Sequence, residues 1–98
     1  SKPLPENFSS ISEKFKELKS RSVALILGDD TITESTGASK LAEICEAHEG
    51  IEVQAILFKG SLSNRVVEIA DIHNITMIVG SSLSDDLSVP EHMVAYTA

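Results

Sequence analysis

The chain has 98 residues, 42% of them hydrophobic, with 15 Asp and Glu against 8 Lys and Arg and a net charge of −7. That length supports one domain with a real but thin core, and the acidic balance disfavours a nucleic-acid backbone or an anionic membrane surface as partner. One cysteine excludes an internal disulfide, three scattered histidines give no zinc-type spacing, and no apolar run reaches the roughly 18 residues of a membrane span. These totals fit a cytoplasmic protein with no nucleic-acid partner and no direct membrane insertion.

Residues 1–7, with Pro3 and Pro5, read as a flexible leader. A single α/β domain over 8–98 follows, with a helix at 8–20, a core at 22–82 and a tail at 83–98. Phe8, Ile11, Phe15 and Leu18 stand three, four and three residues apart and so share one helical face. Such a face packs on the domain's own sheet, or it docks a second copy or a neighbouring domain. Lys14, Lys16, Lys19 and Arg21 interleave with Glu13 and Glu17 and read as a solvated face.

Residues 23–27 (VALIL) are apolar without alternation, as in a central parallel strand covered on both faces. Gly28-Asp29-Asp30 ends this strand. Thr31 and Glu34 have capping-box spacing, which predicts a helix to about residue 48 with Ala38, Leu41, Ala42 and Cys45 on its apolar stripe. Gly50 suits its left-handed cap. Residues 51–59 predict the second strand, broken by Gly60. Ser61 or Ser63 then caps a helix carrying Val66, Ile69 and Ala70, and Asn74 suits the left-handed turn after it. Residues 75–79 predict the third strand, ended by Gly80-Ser81-Ser82. The implied fold class is α/β: a small three-layer sandwich around a mostly parallel sheet of three or four strands with right-handed β-α-β crossovers, preceded by the N-terminal amphipathic helix. Residues 92–97 (HMVAYT) predict a last short strand, either an edge of this sheet or paired with a second molecule.

In an open parallel sheet, ligands bind beyond the carboxyl ends of the strands. This reading brings three turns to that rim: Asp29 with Asp30, Gly60 with Ser61, and Gly80 with Ser81 and Ser82. The serines and helix N-terminal amides suit an anion, and Asp29 suits a ribose hydroxyl or, through Mg²⁺, a phosphate. Lys59 is the one nearby counter-charge, and the same residue types serve as ordinary caps and turns. His48 and His73 close helices, and His92 precedes the last strand. None has a Ser or Cys nucleophile at a readable spacing, and no G-x-S-x-G elbow exists, so no catalytic residue is assigned. Asp85-Asp86 reads as a solvated loop rather than a metal site.

With this order of elements in place, residues 50–82 resemble the C-terminal half of a universal stress protein domain. The likeness lies in Gly60, the helix at 66–70 and the run Met77-Ile78-Val79-Gly80-Ser81. Residues 22–30 are similar to that family's opening strand and acidic turn. The resemblance implies a truncated Rossmann-like domain that acts as a regulatory or interaction module, without enzymatic activity or cofactor. It implies a homodimer, or the soluble domain of a larger protein such as a transporter, with partners on the Phe8, Ile11, Phe15 and Leu18 face or on the C-terminal strand. The family's nucleotide-binding members imply an alternative, an ATP or AMP site with Mg²⁺ on Asp29, Gly80 and Ser81. Those members continue as G-x-x-G and then G-S/T, whereas Gly80-Ser81-Ser82 runs into Leu83 with no later glycine. A second resemblance, to small sulfur-relay (DsrE-like) domains, rests on Phe58-Lys59-Gly60 and the short tail, and implies a sulfur-transfer subunit. That family's reactive cysteine follows the later strand, where this chain has Gly80-Ser81-Ser82. The one thiol here, Cys45, falls on a helix's apolar stripe.

Overall fold

The computed structural model describes residues 2–98. Six strands make one mixed sheet: β1 (Lys2–Pro3), β2 (Ser22–Leu27), β3 (Thr36–Gly37), β4 (Val53–Leu62), β5 (Met77–Leu83) and β6 (Val94–Thr97). Their order is β1-β6-β5-β4-β2-β3. Three helices, α1 (Ser9–Glu17), α2 (Leu41–Ala47) and α3 (Asn64–Ile72), complete the fold. The α/β class stands. The sheet, however, has six strands rather than three or four, and it is not parallel throughout. β4, β5, β6 and β1 run parallel, but β2 is antiparallel to both of its neighbours, β4 and β3.

The reversal of β2 has a local cause. After Leu27 the chain turns sharply. The Asp30 amide donates to the Leu27 carbonyl at 2.9 Å, and Asp30 sits at a left-handed φ of 70°. Asp29 Oδ1 accepts from the Thr31 amide at 3.1 Å and from its hydroxyl at 2.6 Å. Asp side chains favour such turns because they bond the backbone two residues on. Beyond the turn, Thr31, Ile32, Thr33 and Thr36 are β-branched and prefer extended backbone to a helix. Residues 31–37 therefore return along β2 as an arm: Leu27 N–H donates to Thr31 O at 2.8 Å and Thr33 N–H to Leu25 O at 2.9 Å. The helix expected from residue 31 thus begins only at Leu41, after a tight turn over Ala38–Lys40. Because α2 starts beside the first residues of β2 and runs back towards its end, β4 enters beside Leu27. The pairing runs from Leu27↔Val53 to Val23↔Phe58.

The core has two halves, one on each face of the sheet. Val23, Leu25, Ile56 and Ile78 meet Leu41, Ile44 and Cys45 of α2 and Val66, Val67 and Ala70 of α3. Ile26, Ala55, Leu57, Met77 and Val79 meet Ile11 and Phe15 of α1 on the opposite face. Side chains alternate along a strand, so a run without alternation such as 23–26 is fully buried on both sides. The same rule divides 77–79, with Ile78 under α3 and its two neighbours under α1. α1 ends at Glu17 because Leu18 is already extended. Arg21, at a φ of 63°, then turns the chain into β2. Lys59 Nζ donates to the Phe15 carbonyl at 3.0 Å and lies 4.5 Å from that ring's centroid, where a cation stabilises the negative end of the helix dipole.

Two further expectations are corrected. Residues 2–3 are not a free leader: they pair with Tyr96 and Thr97 of β6, and Leu4 N–H donates to Thr97 O at 3.0 Å. β6 is therefore an inner strand, held by β5 on one side and β1 on the other. Nor do Gly60 and Gly80 end their strands. β4 and β5 run on through Ser61↔Ser82 and Leu62↔Leu83, and between Phe58↔Gly80 and Ser61↔Ser82 β4 carries one residue more than β5. That is a β-bulge. It presses Leu62 onto the bare face of Gly80, where a Cβ would lie 2.5 Å from Leu62 Cγ and 3.0 Å from the Gly60 carbonyl. The left-handed turns expected at Gly50 and Asn74 are present.

Gly80→Ala should lower the urea midpoint by an amount equivalent to about 1–3 kcal/mol, the usual cost of overpacking, with the m-value unchanged. Gly60→Ala, whose added methyl meets only the edge of the Phe58 ring at 3.1 Å, should cost less. Equal losses would refute this account of Gly80.

Candidate functional site

The antiparallel β2 takes the expected rim apart. Gly28 N–H donates to the Glu52 carbonyl at 2.9 Å, so Asp29 and Asp30 stand at the entry of β4. Gly60, Ser61, Gly80, Ser81 and Ser82 lie at the opposite end of β4 and β5. From Val53 to Ser61 the sheet spans on the order of 25 Å at a strand's ordinary rise. The two aspartates and the glycine-serine segments therefore do not share a site. Ser61 and Ser82 are brought together, but as paired strand residues.

Several of the candidate groups are also engaged within the fold. The Thr31 hydroxyl, and after it the Thr31 amide, hold the Asp29 carboxyl below its ordinary pKa. Lys14 Nζ donates to the Asp30 carbonyl at 2.6 Å. Lys59, the expected counter-charge, reaches the end of α1 instead. Asn64, the first residue of α3, bonds Asp86 O at 3.1 Å and accepts from Ser88 N–H at 2.9 Å, which pins the loop between β5 and β6. Asp85 and Asp86 are exposed on that loop. His48 Nδ1 donates to Ile44 O at 2.8 Å. His73 lies 3.2 Å from Glu49 and His92 2.6 Å from Asp71. Among the described residues, no three His, Cys, Asp or Glu side chains converge as a metal site, and no helix is long and apolar enough to cross a membrane.

Cys45 is buried in the core under α2. Burial, then Glu49 and Glu46, push its thiol up to about 11. A sulfur carrier needs the reverse, an accessible thiol with a lowered pKa.

Two of the concavities lie beside α2. One, of about 300 Å³, opens between the starts of α2 and α3, with Leu41, Phe58, Val66 and Ile69 inside it and Ser63 and Arg65 among its lining. The larger is an open groove of about 790 Å³ between the 31–37 arm and α2, lined in part by Leu27, Thr33, Glu34, Ile44 and His48. Sequence reasoning missed this groove because it placed residues 31–36 in a helix. The β-branched run Thr31-Ile32-Thr33 was the available signal.

The arm has a distinct chemistry. The N–H groups of Ile32, Glu34 and Ser35 have no hydrogen-bond partner among the described residues. Thr31 and Thr33 bond inward to β2, so the backbone of Ile32, between them, faces outward. The chain segment that carries this edge is acidic. Residues 29–52 hold Asp29, Asp30, Glu34, Glu43, Glu46, Glu49 and Glu52 against the single Lys40, a net of −6 out of the chain's −7. All seven carboxylate residues are exposed.

Comparison of the chain with protein-family models, with curated proteins and with solved structures found no match.

Two measurements check this assignment of side chains to the fold. In an NMR titration, Asp29 should ionise below the usual aspartate range, and Thr31→Val should move it upward. Its contribution to the turn is present at neutral pH and lost as pH falls through that lowered pKa. Cys45 should resist thiol reagents in the native protein and react once unfolded. Because the folded thiol keeps its proton to about pH 11 while an unfolded one loses it near pH 8.5, stability should fall between those values more steeply than in Cys45→Ala. Rapid labelling of native protein at pH 7 would overturn the buried assignment.

Proposed function

We propose that this chain is a non-enzymatic interaction module, a regulatory or adaptor domain that works by binding a partner protein. One observation carries the reading. The Asp29 carboxylate, the Lys59 ammonium and the Cys45 thiol are spent on the fold itself, while the 31–37 arm turns unpaired backbone groups outward beside an open groove. Unpaired strand edges are templates for association. The resemblance of residues 50–82 to universal stress protein domains supports the same class. So does the self-sufficient packing of α1: Ile11 and Phe15 are buried in the chain's own core, whereas the arm is a surface with unmet bonding capacity.

A nucleotide-binding reading has a specific observation in its favour. The smaller concavity lies at the carboxyl end of β4, where such sheets bind ligands, and Arg65 beside it suits a phosphate. Its volume, about 300 Å³, stands at the lower limit for small-molecule pockets, and the expected aspartates are at the other end of the sheet. Calorimetry with ATP, ADP and AMP, each with and without Mg²⁺, separates the two. No heat is expected up to millimolar ligand. Submillimolar binding that Arg65→Glu abolishes would replace the interaction module with a nucleotide sensor.

A further inference from the structure

We infer that the 31–37 edge takes up, as an added strand, a short extended segment of a partner protein that is rich in lysine or arginine. This rests on the interaction-module reading and names its partner's chemistry.

Three independent observations converge on the edge. The first is backbone. Ile32, Glu34 and Ser35 each keep an N–H without a partner among the described residues, which is what an incoming strand bonds to in strand addition. The second is shape. Strand addition draws its affinity from main-chain bonds and its specificity from pockets for alternate side chains. The groove supplies such a pocket on one face of the arm, over Leu27 and Ile44. Ile32 supplies an apolar contact on the other, since it sits opposite Ile26 and remains 37% exposed. The third is charge. Asp29, Asp30, Glu34 and Glu43 stand along the arm and its groove against Lys14 and Lys40, and that acidic excess attracts a basic segment and repels an acidic one.

The same charge argues against a second copy as occupant, because edge-to-edge pairing of two such arms would bring like charges together. The arm's register argues likewise. Ile26 faces Ile32 but Val23 faces Thr36, so the arm carries one residue more than β2 over that interval. A bulge of this kind bends the edge and suits a short segment better than a long flat strand.

The test uses the whole protein and two capped seven-residue peptides, one alternating lysine with valine, the other alternating glutamate with valine. The lysine peptide should bind at least about ten times more tightly and weaken on raising salt from 50 to 500 mM, as screened charge pairs do. On binding, hydrogen exchange at the Ile32 and Glu34 amides should slow. N-methylation of the peptide at alternate residues should abolish that slowing without touching the protein's own stability. Glu34→Lys with Glu43→Lys, both at exposed positions, should reduce the preference for the lysine peptide about tenfold or more. Equal binding of both peptides, binding without slowed exchange at Ile32 and Glu34, or no binding at millimolar peptide overturns the inference. So does a concentration-dependent dimer, seen in sedimentation, that protects the same amides. Peptide-induced NMR shifts confined to residues away from the arm would overturn it while leaving the interaction module standing. Nucleotide binding in the calorimetry above would remove that module reading itself.

Discussion

The turn at Asp29–Thr31 governs the molecule. Two hydrogen bonds onto one carboxylate oxygen, with one residue in left-handed backbone, send the chain back along the strand it has just left. A helix started at Thr31 would have carried the chain over the sheet from the end of β2 and set β4 parallel to it. The returning arm moves the helix start to the other end of β2, and the sense of the next strand follows. The expected ligand rim is lost at the same step, because the acidic turn and the later strand ends come to lie at opposite ends of the sheet.

The glycines make a related point about backbone and chemistry. Gly80 looks in sequence like a residue placed for the close approach of a ligand. It is indeed placed for a close approach, but the approaching group is Leu62. A bulge in β4 brings that side chain across onto β5, and a side chain at position 80 would collide with it. Glycine, serine and aspartate are used by phosphate sites and by plain turns and bulges for the same steric reasons. What separates the two is where the strands go next.

Much of the scaffold was legible because it rests on local rules. The buried run at 23–26, the α3 stripe of Val66 and Ala70, and the left-handed Gly50 and Asn74 follow from periodicity and backbone preference. The last strand at Val94–Thr97 was readable as a strand, though not its place between β5 and β1. What escaped was decided by partners distant in sequence. The pairing of Lys2 with Tyr96 depends on an edge that exists only once β6 has docked. The capping-box spacing of Thr31 and Glu34 was real as a pattern, yet Asp29 claimed the Thr31 hydroxyl first. Of the candidate site, the residue types were legible and their grouping was not, because grouping depends on strand direction. The acidic bias of residues 29–52 could be counted in the sequence, but it acquires meaning only beside an open edge.

The pairing of β1 with β6 bears on how the molecule is made. It joins residues 2–3 to residues 96–97, and so closes a loop of almost the full chain. Such contacts carry the largest closure entropy and form late. Until they do, β6 offers an unpaired edge next to Ala95 and Tyr96, which end up buried and half-buried in the finished domain. Lys2 and Pro3 should therefore act as a kinetic guard. They contribute little contact area, yet they end the interval in which this edge is open to another nascent chain.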